Sequence, residues 1–393
     1  MSCPVCNSSQ VGIFFEMLNV PIFCNVLWSE QEAAKNCAKG DIRLVFCSDC
    51  GFIYNTAFDP TRLDYCPDYE NSLDFSPRFQ EYAQSLAKRL IQRHDLHQKK
   101  IIEIGCGKGD FLVLLCELGE NYGVGFDPSY IEHSEVSNSA RDRVQFVQDV
   151  YSEAYRDYQG DLICCRHTLE HIANPKTLLN GLRNTLKDDG NIPIFFEVPN
   201  AIDTFQRMAI WDIIYEHCSY FSPVSLSYIF TQCGFQVKEI AEEFQGQFLT
   251  LEATKSNQKL EKITLNQKEI DAVKAFSQDI ALFRETFNQK LLSWQKILKR
   301  ISDQGQRAVA WGAGSKGVTF LNLIKQPASI NYIVDINPRK YGKYIAGTGQ
   351  QIVSPEFLSD YQPDVVIIMN SIYQDEIKQQ VRELGVTPEF MCV

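Results

Sequence analysis

The order of apolar and polar positions divides the chain into regions with different predicted structure. Between residues 101 and about 255, short apolar runs alternate with helical spacings; the predicted strands are KKIIEIGC, NYGVGFD, VQFVQD, DLICCR and IPIFFEV. Because parallel strands are joined through helices, this alternation predicts a parallel sheet covered by helices on both faces. From residue 307 onward, strand, glycine loop, helix and strand recur, which predicts a second, smaller α/β domain.

Two segments flank the larger α/β region with helical periodicity. Residues 76–98 have apolar side chains at helical spacing, with Ser76 at the N-cap position and Pro77 after it. Between 256 and 303 apolar residues recur every three or four positions: Ile270, Val273, Phe276, Ile280, Phe283, Phe287, Leu291, Trp294 and Leu298. A coiled-coil seam between two chains is one interpretation. The phenylalanines favour the other, a broad face that packs on its own chain.

These patterns predict four segments. Residues 1–75 have only short alternating runs and are rich in Cys, Pro, Asn and aromatic residues, as expected of a small separate module. The larger α/β domain extends over 76–255, a helical linker over 256–303, and the smaller α/β domain over 304–393.

The length and net charge of the chain limit the classes of function that it can have. A chain of 393 residues is too long for one ordinary core. Its net charge of −11 argues against a general nucleic-acid or membrane surface, because phosphate binding relies on clustered Lys and Arg. No apolar run reaches bilayer length, and the first residues lack a charged region followed by an apolar one. We therefore expect a cytoplasmic protein, monomer or homodimer, that acts on a small molecule.

Two CxxC pairs lie in the first 50 residues, Cys3 with Cys6 and Cys47 with Cys50. Four thiolates suit the tetrahedral coordination of Zn²⁺ and leave no position open for a substrate, which predicts a structural zinc site. A redox dithiol is the alternative, but neither pair follows a strand at the start of a helix, as thioredoxin-type motifs do. Other cysteines among the fourteen lie in apolar runs and are expected to be buried thiols.

A glycine-rich loop follows the first predicted strand of the larger α/β region. The run IIEIGCGKGDFL contains Gly105, Gly107 and Gly109, and Glu103 precedes the first glycine by two positions. A loop of this kind is weak evidence alone, because nicotinamide and flavin folds use a similar turn. Glu103 adds to it, since a carboxylate at the strand end can organise the loop around a ligand's ammonium group.

Acidic residues also end the next two predicted strands. Asp127 can accept hydrogen bonds from both ribose hydroxyls, and Asp149 can accept one from an adenine amino group. Together with the loop, this pattern resembles that of the class I methyltransferases that bind S-adenosylmethionine (SAM), over residues 101 to about 240. NAD is the alternative, but its usual fingerprint is G-x-G-x-x-G, from which this loop departs. We therefore predict SAM as the cofactor.

The run DLICCRHTLEHIANP strengthens the resemblance, since that family often has His-x-Leu-Glu-His after its fourth strand. The resemblance implies that Arg166 and His167 lie near the methionine end of SAM. Glu170 and His171 have two interpretations. They cap the next helix and pair with each other, or they contact a ligand.

The order of the segments is similar to that of the sugar C-methyltransferases, which act on nucleotide-linked keto-deoxysugars in antibiotic pathways. The resemblance extends over nearly the whole chain and includes LNVPIFCNVL, the YEH…YFS run, and WGAGSKG followed by DINPRKYGKYIAGT. It implies a class I SAM methyltransferase Rossmann-like domain between an N-terminal zinc-binding module and a second, C-terminal Rossmann-like domain. The implied activity is methylation of the carbon next to a carbonyl group.

The stretch IIYEHCSYFS holds candidate residues for this chemistry, Tyr215, Glu216 and His217. A C–H next to a ketone needs a positioned base, and the enolate oxygen that forms needs a hydrogen-bond donor. His217 is the predicted base, because a histidine titrates near working pH. Glu216 would orient the imidazole or bind substrate, and a tyrosine hydroxyl would donate to the enolate.

The position of the tyrosine departs from the family. The sugar enzymes have Tyr-His-Glu-His where residues 214–217 are Ile-Tyr-Glu-His. A shift by one position moves a side chain to the other face of a strand, or by about 100° around a helix. Tyr215 therefore does not inherit the tyrosine role automatically. The family's second active-site tyrosine has a loose counterpart in DYENS, where we predict Tyr69, with Tyr65 as the fallback.

The glycine loop of the smaller domain, residues 312–317, has two interpretations. It binds the phosphate or nucleotide part of a substrate, with Lys316 supplying positive charge, or it is a degenerate nucleotide fold kept for packing. Asp335 ends the next strand, where a ribose-binding acid lies in such folds, and this favours binding.

The sequence leaves two other functions open. One is an O- or N-methyltransferase of a small metabolite, in which the acceptor atom is already nucleophilic. The other is a zinc-containing scaffold with a vestigial SAM fold, against which the complete set of glycines and acids argues.

Overall fold

A computed structural model of the protein describes residues 1–63, 69–131, 141–187, 191–256, 264–324 and 330–393. In the first of these ranges the elements are β1 (Val11–Pro21), α1 (Gln31–Lys35), β2 (Lys39–Cys47) and β3 (Ile53–Asn55). The strands are antiparallel, and β9 (Ser219–Tyr220), from the middle of the chain, completes the sheet in the order β1-β2-β3-β9. The N-terminal sheet therefore contains the strand that directly follows the YEH run.

The central part of the chain forms the largest sheet. Its elements are α2 (Pro77–His94), β4 (Lys100–Ile104), α3 (Asp110–Gly119), β5 (Tyr122–Phe126), β6 (Val144–Val147), β7 (Leu162–Arg166), α4 (Pro175–Thr185), β8 (Ile194–Pro199), α5 (Ala201–Phe205), α6 (Pro223–Gln232), β10 (Phe235–Glu243) and β11 (Phe248–Lys255). The strand order is β10-β11-β8-β7-β4-β5-β6. Strands β4 to β8 are parallel, and β11 runs antiparallel to both β8 and β10.

The five predicted strands are confirmed as β4 to β8, and so is the parallel α/β sheet. The predicted start of α2 is also confirmed, because the Ser76 hydroxyl accepts a hydrogen bond from the backbone N–H of Phe79 at 3.3 Å. The β10–β11 hairpin lies outside the predicted strands, since the charged residues of FQVKEIAEE break the apolar run.

The last part of the chain forms a five-stranded parallel sheet in the order β14-β13-β12-β15-β16. Its elements are β12 (Ala308–Trp311), α8 (Ser315–Ile324), β13 (Ile330–Val334), β14 (Gln351–Val353), α9 (Leu358–Tyr361), β15 (Val365–Ile368), α10 (Gln374–Glu383) and β16 (Glu389–Cys392). The predicted second α/β domain is confirmed in its strand–loop–helix–strand order.

One helix, α7 (Gln267–Asp303), connects the central and C-terminal sheets over 37 residues. It begins with a capping box, in which Asn266 and Glu269 each accept from the other's backbone N–H. Seven of the nine predicted apolar positions are buried within the same chain, and Ile270 and Leu291 are half-buried. The interpretation as a face that packs on its own chain is therefore confirmed. No helix in the described ranges is long and apolar enough to cross a membrane.

The buried face of α7 shares one core with the N-terminal sheet, with α5 and with the C-terminal sheet. Phe283 makes edge-to-face contacts with Phe15 of β1 and Phe205 of α5, at centroid distances of 5.2 and 5.1 Å. Three turns further, Trp294 meets Phe320 of α8 at 5.3 Å. A single helix thus packs on the N-terminal module (residues 1–75), on the C-terminal domain (residues 304–393) and on α5, which follows the last parallel strand of the central sheet.

We expect Phe283→Ala to lower the free energy of unfolding by about 3–5 kcal/mol, because it leaves a cavity where α7 packs on β1 and α5. Leu282→Ala is the matched control on the same helix. Leu282 is 61% exposed, so its loss should change stability by less than about 0.5 kcal/mol. Urea unfolding followed by fluorescence measures both, and equal effects of the two substitutions would contradict the described packing of α7.

Candidate active site

The four cysteines of the two CxxC pairs converge in the N-terminal module. Their Sγ atoms lie within 4.8 Å of one another, with 3.7 Å between Cys3 and Cys50 and 3.5 Å between Cys6 and Cys47. Around a Zn²⁺ with Zn–S bonds of about 2.3 Å, tetrahedral geometry places sulfur atoms about 3.8 Å apart. The thiols therefore have the number, chemistry and spacing to hold a zinc ion, and three of them are completely buried.

The loop between β4 and α3 depends on three glycines with positive φ angles: 69° at Gly105, 55° at Gly107 and 89° at Gly109. A Cβ on Gly105 would overlap the side chain of Thr168, and one on Gly109 would overlap the ring of Phe146. At Gly107 no atom of the described residues lies within 4 Å of the position that a Cβ would take. The backbone at Gly107 is therefore open to a ligand.

Two acids face this loop. Asp127 accepts from the backbone N–H of Gly107 at 2.9 Å, and its other oxygen accepts from the backbone and hydroxyl of Ser129. Glu103 is 3% exposed, and burial raises its pKa to about 8. Within the described ranges, Glu103 Oε2 has no hydrogen-bond partner. A buried, unpartnered carboxyl beside an open glycine loop fits the ammonium-bearing end of a ligand such as SAM.

Asp149 lies on the surface beyond β6. It accepts hydrogen bonds from the Tyr155 hydroxyl and from the backbone N–H of Val150, and the former lowers its pKa. The carboxylate therefore stays ionised at the end of the third parallel strand, where the sequence pattern predicts an adenine contact.

Glu197 in β8 is a buried acid that sequence reasoning missed. Arg166 donates to its Oε1 from Nε at 3.0 Å and from Nη2 at 2.8 Å, and the Tyr82 hydroxyl donates to Oε2. His167 Nε2 lies 2.8 Å from Oε1. Burial alone would raise the pKa of Glu197, but Arg166 and His167 lower it to about 2. The signal was available, because an acid within the apolar run IFFEVP needs a buried partner.

The Arg166 guanidinium thus forms an ion pair with Glu197, and it also lies over the ring of Phe111 at 4.0 Å. Unlike Arg166, His167 lines a cavity. Its backbone has a positive φ of 49°, a conformation that L residues adopt at a cost, and its side chain lines a large cavity.

That cavity has a volume of about 280 Å³ and lies between the central and C-terminal sheets. Its lining includes residues from three parts of the chain: Tyr69, His167, Glu170, His171, His217, Gly312, Lys316, Asp335 and Lys340. Two sequence-predicted sites, the YEH run and the C-terminal glycine loop, therefore open on the same space. Concave sites with a few convergent polar groups are typical of small-molecule binding.

His217 is the predicted base, and it lines this cavity with 9% of its surface exposed. Burial lowers its pKa to about 3, although a hydrogen bond to the Asp212 carbonyl acts in the opposite direction. The imidazole is therefore neutral at physiological pH, and the expectation that it titrates near working pH is wrong, because burial disfavours its charged form. In the described structure Nδ1 has no partner, while the bond to Asp212 holds the ring proton on the other nitrogen. His217 Nδ1 is thus free to accept a proton.

Glu170 and His171 lie beside it. A carboxylate oxygen of Glu170 and one ring nitrogen each of His171 and His217 lie within 4.8 Å of one another. The two imidazole rings are nearly perpendicular, with centroids 5.0 Å apart. The structure therefore brings the HTLEH run and the YEH run together at one end of the cavity.

The structure corrects the expectation for Tyr215. Its side chain is 1% exposed and belongs to the core of the N-terminal module, where it packs on Phe58. A Cβ on Gly40 would overlap its ring, and its hydroxyl accepts from the backbone N–H of Asp59 at 2.9 Å. The shift by one position has turned the tyrosine away from the cavity and into the core.

Glu216 and Tyr69 form a second buried pair. Glu216 Oε2 accepts from the backbone N–H of Cys24 at 2.8 Å, and burial raises the pKa of Glu216 to about 7. The Tyr69 hydroxyl faces this carboxyl group and accepts from Asn25 Nδ2 at 3.3 Å. Glu216 therefore contacts the N-terminal module and Tyr69, and of the two only Tyr69 lines the cavity. The fallback Tyr65 lies outside the described residues.

The C-terminal glycine loop is organised by Asp335. This acid accepts from the backbone N–H groups of Ala313 and Asn337 at 2.8 and 2.9 Å. Lys316 Nζ, at the start of α8, lies 3.0 Å from Asp212 Oδ2. Since the Asp212 carbonyl accepts from His217, one short segment connects the base to the glycine loop on the other side of the cavity.

Two family models match the chain. The model described as a methyltransferase domain matches residues 78–240, and the model described as a C-methyltransferase C-terminal domain matches residues 248–388. The chain is also 25% identical over 338 residues to the C-methyltransferase NovU of Streptomyces niveus. This match covers 77% of this chain and 76% of NovU.

Other similarities cover smaller shares of the chain. The ubiquinone biosynthesis O-methyltransferase of Salmonella paratyphi A is 27% identical over 120 residues, and the match spans 29% of this chain and about half, 48%, of that relative. A structure of magnesium protoporphyrin IX methyltransferase from Synechocystis with bound SAM is 15% identical, with a TM-score of 0.33 over 46% of this chain and 80% of that one.

We expect Tyr215→Phe to leave methyl transfer unchanged, because the hydroxyl bonds to the backbone of Asp59 and faces away from the cavity. The loss of this buried hydrogen bond should lower the free energy of unfolding by about 1 kcal/mol. Tyr69→Phe is the matched comparison, since Tyr69 lines the cavity, and it should lower the rate. Initial rates and urea unfolding of both variants provide the measurement. A Tyr215→Phe enzyme with a lower rate and unchanged stability would show that the Tyr215 hydroxyl takes part in the reaction.

Proposed function

We propose that this chain, which is a SAM-dependent methyltransferase with a C-methyltransferase C-terminal domain, methylates the carbon next to the carbonyl of a nucleotide-linked keto-deoxysugar. The observation that carries the proposal is the shared cavity. A histidine with a free ring nitrogen lines one side of it, and a glycine loop with a lysine lines the other. One ligand with a reactive carbon at one end and a phosphate at the other suits this arrangement.

His217 removes the proton from the carbon next to the carbonyl. The C–H electron pair becomes the enolate, and the proton goes to Nδ1. Proton transfer by a positioned side chain contributes about 10²- to 10⁴-fold to a rate. The low pKa of His217 keeps the acceptor nitrogen unprotonated before the reaction.

SAM, when bound, supplies an electrophilic methyl group on a sulfonium sulfur. Its binding residues in this proposal are those of the glycine loop and the strand ends: Glu103, Gly105, Gly107, Gly109, Asp127 and Asp149. Arg166 acts at the methionine end through its bond to Glu197, which fixes the carboxyl end of β7, and His167 follows it into the cavity.

The nucleotide part of the acceptor contacts the C-terminal domain. Lys316, which is paired with Asp212, and Lys340, which is paired with Asp335, lie in the cavity wall, and the backbone of the glycine loop begins α8 there. Asp335 holds the loop in shape. Tyr69 contacts the sugar from the N-terminal side, and Glu216 orients Tyr69.

Zn²⁺ on Cys3, Cys6, Cys47 and Cys50 has a structural role in this proposal. The site lies at the C-terminal end of β2, where Cys47 is the last residue, and β2 pairs with β3, which in turn pairs with β9. The metal therefore supports the sheet that holds the YEH run.

The proposal is tested by incubating the enzyme with ¹³C-methyl SAM and a thymidine or uridine diphosphate keto-deoxysugar in D₂O. We expect a new carbon-bound methyl resonance that survives acid hydrolysis, and deuterium exchange at the same carbon without SAM. A hydrolysable O-methyl product, with no exchange, would contradict C-methylation.

We expect His217→Gln to lower both proton exchange and methyl transfer by about 10²- to 10⁴-fold, because an amide side chain cannot take the proton from the substrate carbon. Binding of S-adenosylhomocysteine, measured by calorimetry, should be unchanged. The control is His97→Gln, since His97 is exposed. Full turnover by the His217 variant would exclude the proposed base.

We expect about one zinc ion per chain in the purified protein, and none after Cys47→Ser, because three thiolates hold the metal far less tightly than four. The thermal midpoint should fall when the metal is lost. The control is Cys392→Ser, because Cys392 is half-buried and lies outside the cysteine cluster, and this variant should keep both the zinc ion and the thermal midpoint. Elemental analysis and thermal unfolding measure these quantities. A metal-free, fully stable protein would contradict the zinc site.

A further inference from the structure

We propose that Glu170 is a further catalytic residue, a protonated carboxyl group that donates a hydrogen bond to the carbonyl oxygen of the acceptor while His217 takes the proton from the neighbouring carbon. The inference rests on the proposed C-methylation. It fills the role left vacant by Tyr215, whose hydroxyl is bonded to the backbone of Asp59.

The structural explanations for Glu170 do not hold. It does not cap the next helix, because α4 is capped by Asn174, whose side chain accepts from the backbone N–H of Thr177. It does not form a close pair with His171 either, since Glu170 Oε1 and His171 Nε2 are 4.0 Å apart, too far for a hydrogen bond. The carboxyl group accepts a hydrogen bond from its own backbone N–H, and the buried Oε2 is left without a structural role in the described residues.

The surroundings of Glu170 favour its neutral form. Its side chain is 2% exposed, and within the described structure Oε2 has no hydrogen-bond partner. An ionised carboxylate in such a place would be costly, and burial raises its pKa to about 8.

No lysine or arginine is among the groups that set the charge state of Glu170 in the described structure. The titratable groups that face it are His167 and His171 on its own loop, Cys165 of β7, Glu197 of β8, and His217 and Cys218 before β9. The pKa of His171 and that of His217 are lowered by burial, so both rings are neutral, and Glu197 raises the pKa of Glu170 further.

The positions of Glu170 and His217 suit an acid–base pair. Both line the cavity, both carry an unpartnered buried atom, and a carboxyl oxygen of one lies within 4.8 Å of a ring nitrogen of the other. In a ketone, the proton to be removed and the carbonyl oxygen are only a few bonds apart, so two groups at this separation can contact both. As the C–H bond breaks, negative charge grows on the oxygen, and a donor already in place stabilises it without rearrangement.

A bound divalent cation is the other chemistry that Glu170, His171 and His217 could support, and the experiment below separates it from hydrogen-bond donation. Glu170→Gln keeps an N–H donor of the same shape, whereas Glu170→Leu removes the donor. Glu81→Gln, on the exposed face of α2, is the control.

In the unmodified enzyme, we expect proton exchange and methyl transfer to be constant at neutral pH and to fall above about pH 8, as Glu170 loses its proton. Glu170→Gln should retain the rate within about tenfold and lose this fall, because an amide does not titrate. Glu170→Leu should lose about 10²- to 10³-fold, the usual cost of removing one such donor. S-adenosylhomocysteine binding should be unchanged in each.

Several results would overturn the inference. If Glu170→Gln is as slow as Glu170→Leu, Glu170 acts as a base. If Glu170→Leu keeps full activity, Glu170 has only a structural role. A metal ion retained by the Cys47→Ser protein, and lost when Glu170 is also replaced, would make it a metal ligand. If the variants fail to fold, the unmodified enzyme still tests the inference. A rate of methyl transfer that does not change up to pH 10 would exclude the protonated carboxyl group of Glu170 as the hydrogen-bond donor. Failure of the proposed function looks different, because the unmodified enzyme would then form no carbon-bound methyl group.

Discussion

The pairing of β3 with β9 determines where the reactive histidine lies. Two residues of β9, Ser219 and Tyr220, complete a sheet whose other strands all come from the first 55 residues. The chain before β9 is then held at two further points by the same module, through Tyr215 to Asp59 and Glu216 to Cys24. His217 is thus positioned by the N-terminal module, although it belongs to the central part of the sequence.

Burial favours the neutral forms of two groups at the His217 end of the cavity. It raises the pKa of Glu170 to about 8 and lowers that of His217 to about 3. A weak carbon acid gains from such surroundings, because water does little there to screen the charge that develops on the substrate. Ion pairs are formed by other residues, Lys316 with Asp212 in the cavity wall and Arg166 with the buried Glu197.

Local patterns along the chain predicted the elements but not the contacts between distant segments. The strands β4 to β8, the start of α2 and the buried face of α7 follow from apolar spacing and capping residues, which act within a few positions. The cysteine cluster follows from ligand spacing. Tyr215, by contrast, faces the core because of Gly40 and Asp59, far away in the sequence. The isolation of Glu170 depends on Asn174 capping α4 in its place. Neither feature could be predicted from local patterns, because each depends on contacts between segments that are separate in the sequence.

The shared core along α7 bears on how this protein can change by recombination. The segments that are distinct in sequence are not distinct in space, because Phe15, Phe205 and Phe320 all pack on the same helix. A gene fragment that ended before α7, or one that began after it, would encode a surface with a long apolar groove in place of its neighbour. The three parts must therefore be inherited together, and a new acceptor is more easily reached by substitution in the cavity wall than by exchange of a domain.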